Sequence, residues 1–401
     1  MHWVPYAVVL AFSPLNGIRV VDLTSSLAGP TCTQILAALG ADVVKVEHPH
    51  RGDEARAWGP RFFEGGSVMF FAANASKRSL ALDLKDAAGM EALLRLVDRA
   101  DVFVQSMRPG TAERLGLGGA ALRERNERLV YCSIGAFGRR GPLAHQPGYD
   151  PLMQAFTGIV SVTGESDRPG VRVGTSLIDS GTGVWAALGI VAALLERAQT
   201  GSGREVDVSL FETGLSLVGY QLTDAFRTGN APGRHGTAFP LIAPYEVFPT
   251  QDGELMIAAA NDGLFAQLCE RIGLPELAED SRFLTNPERL ANRDALLPPI
   301  RARLAERPSA HWLQVLEGIP VSPVQNIAEA AAHEQTRAVG IVQELGGMET
   351  LALPLEVDAE RVGHRGAPPT LGANSADVLA ELGYSAAEVD ALVAAGVTRL
   401  A

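Results

Sequence analysis

The chain has 401 residues, enough to bury a large core and to form about two domains. Hydrophobic residues make up 47% and charged residues 20%, as in soluble globular proteins. The 46 acidic against 34 basic residues leave a net charge of −12 with no Lys/Arg-rich block, which argues against nucleic acid and anionic membrane as partners but leaves room for a local basic pocket holding a phosphorylated ligand.

Residues 1–12 are apolar, lack a cationic n-region and are too short to span a bilayer. They are read as an extension (residues 1–14) before the fold proper, and a cytoplasmic location is expected. Arg19-Val20-Val21-Asp22-Leu23 reads as a short buried strand, followed by a Gly29-Pro30 turn, a helix over 31–39 closed by Gly40, and a strand over 42–47. That order is a βαβ unit, which implies parallel pairing. The alternation continues with a strand over 79–84, a helix over 87–97, a strand over 101–105, a short helix near Leu122 and a strand over 129–134. An open, mostly parallel, Rossmann-like α/β sheet is expected, with ligands in the crevice at the carboxyl ends of its strands. The chain contains neither GxGxxG nor GxxxxGK[ST], so a dinucleotide or P-loop site is disfavoured.

The segment Thr175-Ser176-Leu177-Ile178-Asp179-Ser180-Gly181-Thr182-Gly183 leads into an apolar run over 184–195 that reads as a buried helix ended by Gly201-Ser202-Gly203. Asp179 is thereby placed at or just before a helix N-terminus, where backbone N–H groups lack partners and the dipole favours negative charge. A plain N-cap is the simplest account of such an aspartate. The small residues Ser180, Gly181 and Gly183 would also let a substrate approach the carboxylate, which could then act as a covalent nucleophile. A strand over 205–210 and a helix over 211–226 follow. The Gly- and Pro-rich stretch 228–244 reads as a linker or active-site loop. A hairpin (245–248 and 255–260), three helical stretches to about 316, a strand over 320–325 and a short helix over 327–333 form a smaller α+β domain. The expected organisation is a large domain over 15–226, a small domain over 227–335 and a C-terminal segment, 336–401, returning to the large one. Cys32, Cys132 and Cys269 are odd in number and far apart, so neither a disulfide framework nor a metal site is implied; Cys32, which could start a helix where thiols can be activated, is read as a small buried residue.

Several motifs in order carry a resemblance. They are Gly17-Ile18-Arg19-Val20-Val21-Asp22-Leu23-Thr24, Ala28-Gly29-Pro30, Gly40-Ala41-Asp42-Val43-Val44-Lys45-Val46-Glu47, Lys77-Arg78-Ser79, Arg108-Pro109-Gly110, Gly148-Tyr149-Asp150-Pro151, the Asp179 segment and Asn261-Asp262. From about Leu15 to its C-terminus the chain resembles the family III CoA-transferases of the CaiB/BaiF type, a group that includes formyl-CoA transferase, carnitine CoA-transferase and α-methylacyl-CoA racemase. The resemblance implies an acyl-CoA:carboxylate CoA-transferase with Asp179 as nucleophile, working through an aspartyl anhydride and an aspartyl-CoA thioester. CoA is then a substrate, with no permanently bound cofactor and no metal, and the partner is a second copy of the chain in an interlocked homodimer.

The resemblance also implies CoA contacts. Lys85 and Arg114 align with phosphate-holding positions, which basic side chains suit. Leu27, Ala28, Leu82, Ser106, Met107 and Arg108 align with the adenine and pantetheine path, and His48 with a position often basic in relatives, there to stack on adenine or to cap its strand. Gly135 and Tyr149 complete the expected site. Arg172, Arg227, Arg234 and His235 are candidates for an acceptor carboxylate. Formyl-CoA transferases carry a glutamine at the place of Leu27, and a lysine and an acidic residue at those of Gly135 and Gly138, so oxalate and formyl-CoA are not the expected substrates; a succinyl-CoA-like donor is. Racemases have a histidine at the place of Tyr149, and a tyrosine, with an ordinary pKa of about 10, is a poor acid–base replacement near neutral pH. A racemase and a non-catalytic CoA-binding subunit of a heteromer remain as alternatives, separable by solvent-deuterium exchange and by turnover of the chain alone.

Overall fold

The computed structural model describes residues 12–401, so most of the expected extension lies outside the described residues. The chain divides into two compact units. The first comprises Met1–Ile159, Val173–Thr223 and Arg337–Ala401, the second Val160–Arg172 and Asp224–Thr336. The sequence boundaries at 226 and 335 miss the first piece of the second unit. Val160–Arg172 joins that unit because Gly236 N–H reaches the Gly164 carbonyl at 2.9 Å and the Arg234 guanidinium reaches the Glu165 carbonyl at 3.1 Å.

In chain order the main elements are β1 (Arg19–Leu23), α1 (Ala28–Ala38), β2 (Asp42–Glu47), β3 (Arg78–Leu82), α2 (Ala87–Val97), β4 (Val102–Gln105), β5 (Val130–Gly135), α3 (Asp150–Phe156), α4 (Leu177–Thr200), β6 (Glu205–Ser209), α5 (Leu210–Leu217) and α6 (Gly219–Thr228). The second unit adds β7 (Tyr245–Pro249), β8 (Glu254–Ala258) and β9 (Val321–Pro323), and the chain ends with β10 (Thr398–Arg399) in the first unit. The first unit's sheet runs β10-β3-β2-β1-β4-β5-β6. Its ladders are parallel except β10, which is antiparallel to β3. Val20, Val21, Val44, Val102, Phe103 and Val104 are fully buried. Continuous apolar runs of this kind are what a parallel sheet covered on both faces requires. The order reverses at β1, whose neighbours β2 and β4 lead away in opposite directions, so the topological switch point lies there.

The expected α/β class is observed, with local differences. α1 starts at Ala28, and α4 starts at Leu177, well before the apolar run. The helix expected over 211–226 is two helices broken at Val218. Gly201 ends α4 in the left-handed conformation, φ 79°, that glycine adopts without strain. By length and composition α4 could cross a membrane. One face of it is nevertheless core, with Ile178, Ala186 and Ile190 buried, whereas Val184, Trp185, Leu188 and Leu195 are exposed. In the second unit β8 pairs antiparallel with β7 and β9, and its helices cover a core of Phe248, Leu255, Ile257, Phe265 and Trp312. The small hairpin Phe62–Phe63/Gly66–Ser67 and two more hairpins within 342–361 were not expected; strands of two to four residues carry too little alternation to be read.

Candidate active site

Asp179 is not the cap of its helix. Ser176 holds the N-cap position without a side-chain cap, and Asp179 lies in the first turn of α4. The cap comes from α3: Asp150 Oδ2 accepts the Ile178 N–H at 2.7 Å and the Asp179 N–H at 3.1 Å. Two of the donors expected to stand free beside the Asp179 carboxylate are therefore already used. Gln154, one turn along α3, donates to Asp150 Oδ1 at 2.6 Å and to the Thr175 carbonyl at 3.3 Å, and accepts the Val173 N–H at 2.8 Å. Asp150 and Gln154 are 1% and 0% exposed. Asp179 is part-buried, and among the described residues its carboxylate accepts no hydrogen bond. Burial first, then the Asp150 charge, raises its pKa from 3.8 to about 7. A carboxyl poised near neutrality and poorly stabilised as an anion suits a nucleophile.

The glycines beyond Asp179 serve packing rather than access, correcting the expectation of an open approach. A Cβ on Gly183 would stand 2.8 Å from both the Ala28 carbonyl oxygen and Thr31 Cβ, so this glycine lets α4 close onto the start of α1. A Cβ on Gly181 would lie 3.1 Å from Thr213 of α5. Asp179 and Gly183 are four residues apart and share a helix face. The Asp179 face of α4 is thus the one that meets Ala28.

The turn between β1 and α1 is pinned from below by buried charge. Lys77 Nζ bonds Asp22 Oδ2 at 3.0 Å, the Pro30 carbonyl at 2.9 Å and Asn74 Oδ1 at 2.7 Å. Lys45 Nζ pairs with Asp53 Oδ2 at 2.8 Å and donates to the Thr24 carbonyl at 2.9 Å. Asp53 Oδ1 accepts the N–H of Ser26, whose φ is 70°. Glu47 is paired with Arg56 at 2.7 Å and accepts the Ser79 hydroxyl at 2.8 Å. Burial works to raise the Asp22 carboxyl, but Lys77, Lys45 and the Thr24 and Thr33 hydroxyls outweigh it and hold the group well below the carboxylate range. Burial brings Lys77 down to about 8 against the pull of Asp22.

Two cavities open at the carboxyl ends of the strands. The smaller, about 160 Å³, lies at the switch point between Leu23, Thr24, Ser25, His48, Ser106 and Met107. The larger, about 870 Å³, is lined by Met107, Arg108, Gly135, Phe137, Arg139 and Arg140 among others. Met107 borders both, and together they bring five expected CoA residues, His48, Ser106, Met107, Arg108 and Gly135, to one crevice. His48 also ends its strand, its Nδ1 accepting the His50 N–H at 3.2 Å. Ala28 starts α1 and Leu27 is its N-cap residue. Leu82 is 1% exposed and packs in the core with Leu80 and Leu93, so its side chain is closed to a ligand. Lys85 is exposed, and the Arg114 guanidinium donates to Thr111 Oγ1 at 3.0 Å on the surface; neither lines either of these two cavities. Tyr149 is exposed at the N-cap of α3, beside Asp150, and Asp179 itself lines neither cavity.

The model of CoA-transferase family III matches residues 15–375. The chain belongs to that family. Among its curated relatives are the acetyl-CoA:oxalate CoA-transferase of Acetobacter aceti, 42% identical over 86% of this chain and 89% of the relative, and the succinate–glutarate CoA-transferase of Agrobacterium fabrum, 36% identical over 92% and 96%. A crystal structure of a CAIB/BAIF family protein from Brucella suis is 37% identical with a TM-score of 0.84, covering 92% of this chain and 99% of that one. The protein is a family III CoA-transferase, an enzyme whose relatives move CoA between carboxylic acids.

For this CoA-transferase the sequence reading passed over part of the crevice. Phe137, Arg139, Arg140, His145, Phe211 and Glu212 line the larger cavity without having been singled out. The signal was present as Arg139-Arg140 in the loop after β5, a basic pair at a strand's carboxyl end. Gln154 was also missed, although its spacing of four from Asp150 places both on one helix face. Arg172, Arg227, Arg234 and His235 all belong to the second unit. The Arg234 guanidinium is committed there to the Glu165 carbonyl. Cys32 is buried, as expected, and so are Cys132 and Cys269. Burial pushes the Cys269 thiol up to about 12 and also raises the other two well above the ordinary thiol range, so none is a thiolate nucleophile.

Proposed function

We propose that the enzyme transfers CoA from an acyl-CoA to a carboxylic acid with Asp179 as covalent nucleophile. The observation that carries this reading is an unbonded, part-buried carboxyl with a pKa near 7 at the head of α4, in a family III chain. Asp179 attacks the donor's thioester carbonyl, forming a mixed anhydride and releasing CoA thiolate. The thiolate attacks the aspartyl carbonyl, giving an aspartyl-CoA thioester and the free donor acid. The acceptor carboxylate attacks that thioester, re-forming an anhydride and the thiolate. The thiolate then takes the new acyl group, and Asp179 returns as carboxylate. Thioester and anhydride are similarly energised, so no nucleotide is consumed.

The crevice at the switch point supports a CoA path, with Arg108, Arg139 and Arg140 as cationic side chains at its wider end. The chemistry of the relatives supports short acyl donors and dicarboxylate acceptors. Oxalate now ranks beside glutarate, because a relative 42% identical is named for it. That weakens the case against oxalate drawn from Leu27, Gly135 and Gly138.

The test is intact-protein mass spectrometry after incubation with succinyl-CoA or acetyl-CoA and then hydroxylamine, which converts an aspartyl thioester to a hydroxamate. One hydroxamate in the wild type and none in Asp179→Ala is expected. Modification of both proteins, or of neither with any donor of an acyl-CoA panel, removes Asp179 as nucleophile.

The working unit is proposed to be a homodimer. Leu152 and Phe156 of α3, Val184, Trp185 and Leu188 of α4, and Leu217 of α5 are exposed on the helices around Asp179. Large apolar side chains clustered on a single chain mark an interface. Light scattering should give twice the chain mass, and Trp185→Glu combined with Leu188→Glu should reduce it; a wild-type monomer at working concentration defeats the proposal.

A further inference from the structure

We propose that Asp150, locked by Gln154, is the positioning residue of the transfer reaction: it fixes the segment that carries Asp179 and withholds hydrogen-bond donors from the Asp179 carboxylate. The inference rests on reading Asp179 as the nucleophile. Between them the two α3 side chains hold four points of the incoming segment: Val173 N–H, Thr175 carbonyl, Ile178 N–H and Asp179 N–H. Among the described residues no other side chain bonds the Thr175 carbonyl or the Ile178 and Asp179 N–H groups.

A cap alone does not explain a buried carboxylate. Asn, Ser or Thr would satisfy the same N–H groups without burying charge. Among the described residues Asp150 has no cationic partner; its compensation is two N–H groups at the positive end of α4 and one amide. The choice has a consequence for Asp179. Its own N–H and that of Ile178, two of the unpaired donors of the first turn, are occupied, and a negative charge is placed beside it. Desolvation and that charge act in the same direction on Asp179.

The other elements packed on α4 leave Asp150 as the charge that matters. α1 carries no charged side chain, and its Cys32 is buried. β5 carries none either. The β6 carboxylates Glu205 and Asp207 are paired with Arg139, and Glu212 of α5 accepts the Ser209 hydroxyl at 2.5 Å.

The experiment uses the full-length protein with Asp150→Asn, Gln154→Glu and the double variant. In the double variant the Asn amide donates to the new carboxylate and its oxygen still caps α4, so polarity is reversed and the charge is kept, with only the Gln154 donation to the Thr175 carbonyl lost. Asp150→Asn alone sets an amide NH₂ against the Gln154 NH₂. Expected for Asp150→Asn is a fall in kcat of about 10- to 100-fold with KM for acyl-CoA nearly unchanged, and for the double variant recovery of about tenfold. Labelling of Asp179 by carbodiimide and glycine ethyl ester, followed by peptide mass spectrometry against pH, reads its protonation without turnover. The midpoint should move to lower pH in Asp150→Asn. Wild-type kcat and an unmoved midpoint in that variant, or a double variant no better than the single, overturns the proposal. If Asp150→Asn does not fold, amide exchange in the wild type decides: slow exchange at Ile178 and Asp179 supports the cap and fast exchange refutes it. If no donor leaves a hydroxamate on the wild type, the nucleophile reading fails, while labelling and exchange still decide whether Asp150 governs Asp179.

Discussion

Two groups of buried carboxylates sit in the first unit and behave in opposite ways. Below the β1–α1 turn, Asp22, Glu47 and Asp53 are each paired with a cation: Lys77, Arg56 and Lys45. At the head of α4, Asp150 and Asp179 have none among the described residues. The first arrangement holds Asp22 well below the usual carboxylate range; the second leaves Asp179 near 7. The residue type is the same, and the partner decides. Paired carboxylates make a frame, tying Thr24, Ser26 and Pro30 in place. Asp179, the proposed nucleophile, has no such partner, and the frame supports its helix, since α4 rests on Ala28 and Thr31 at the start of α1 through Gly183.

Breaking the frame should have the largest effect on stability. Asp22 and Lys77 side chains are 0% exposed. Asp22→Asn leaves the Lys77 ammonium buried against neutral partners, and loss of one member of such a pair costs about 3–5 kcal/mol. Lys77→Met should cost a similar amount, because Asp22 then keeps only Lys45 nearby. Combining the two removes both charges, and the loss should fall well short of the sum of the singles. Urea unfolding of the four proteins measures this. Additive losses would show that the ion pair is incidental and that the contrast with α4 lies in burial alone.

The frame was more legible in the sequence than the head of α4. β1 and β2 were placed residue for residue because buried parallel strands are apolar runs bounded by turns. His48, Ser106, Met107, Arg108 and Gly135 converge because each follows or ends a strand at the carboxyl edge of the sheet, where topology alone brings them together. The head of α4 could not be read the same way. Ser176, Ser180, Gly181 and Gly183 look like a loop, and the side chain that caps the helix lies 28 residues before Ile178. A cap supplied across the fold leaves no local signal. The burial of the Leu82 side chain was not legible for a related reason: on a strand buried on both faces, no alternation says which side chains point into the core.

The pH dependence of stability sharpens the contrast at the smallest scale. Asp179 has a folded-state pKa of about 7 against an ordinary 3.8. Between those values the folded protein keeps a proton that the unfolded chain has released, so stability falls as pH rises through the window and the cost is complete above 7. Asp179→Asn removes that cost. The variant should match the wild type near pH 4 and exceed it at pH 8 by about 1–3 kcal/mol, less than the whole shift because the carboxyl is part-solvated. Thermal unfolding at the two pH values reads the difference. The same ionisation should set activity, with turnover by the wild type rising with pH through about 7 as the attacking carboxylate forms. A variant equal in stability to the wild type at both pH values would place Asp179 with the frame carboxylates, ionised at no cost to the fold. A variant more stable only at high pH shows that the fold carries an uncompensated charge at this one position, where a frame would have paired it and a nucleophile must not be.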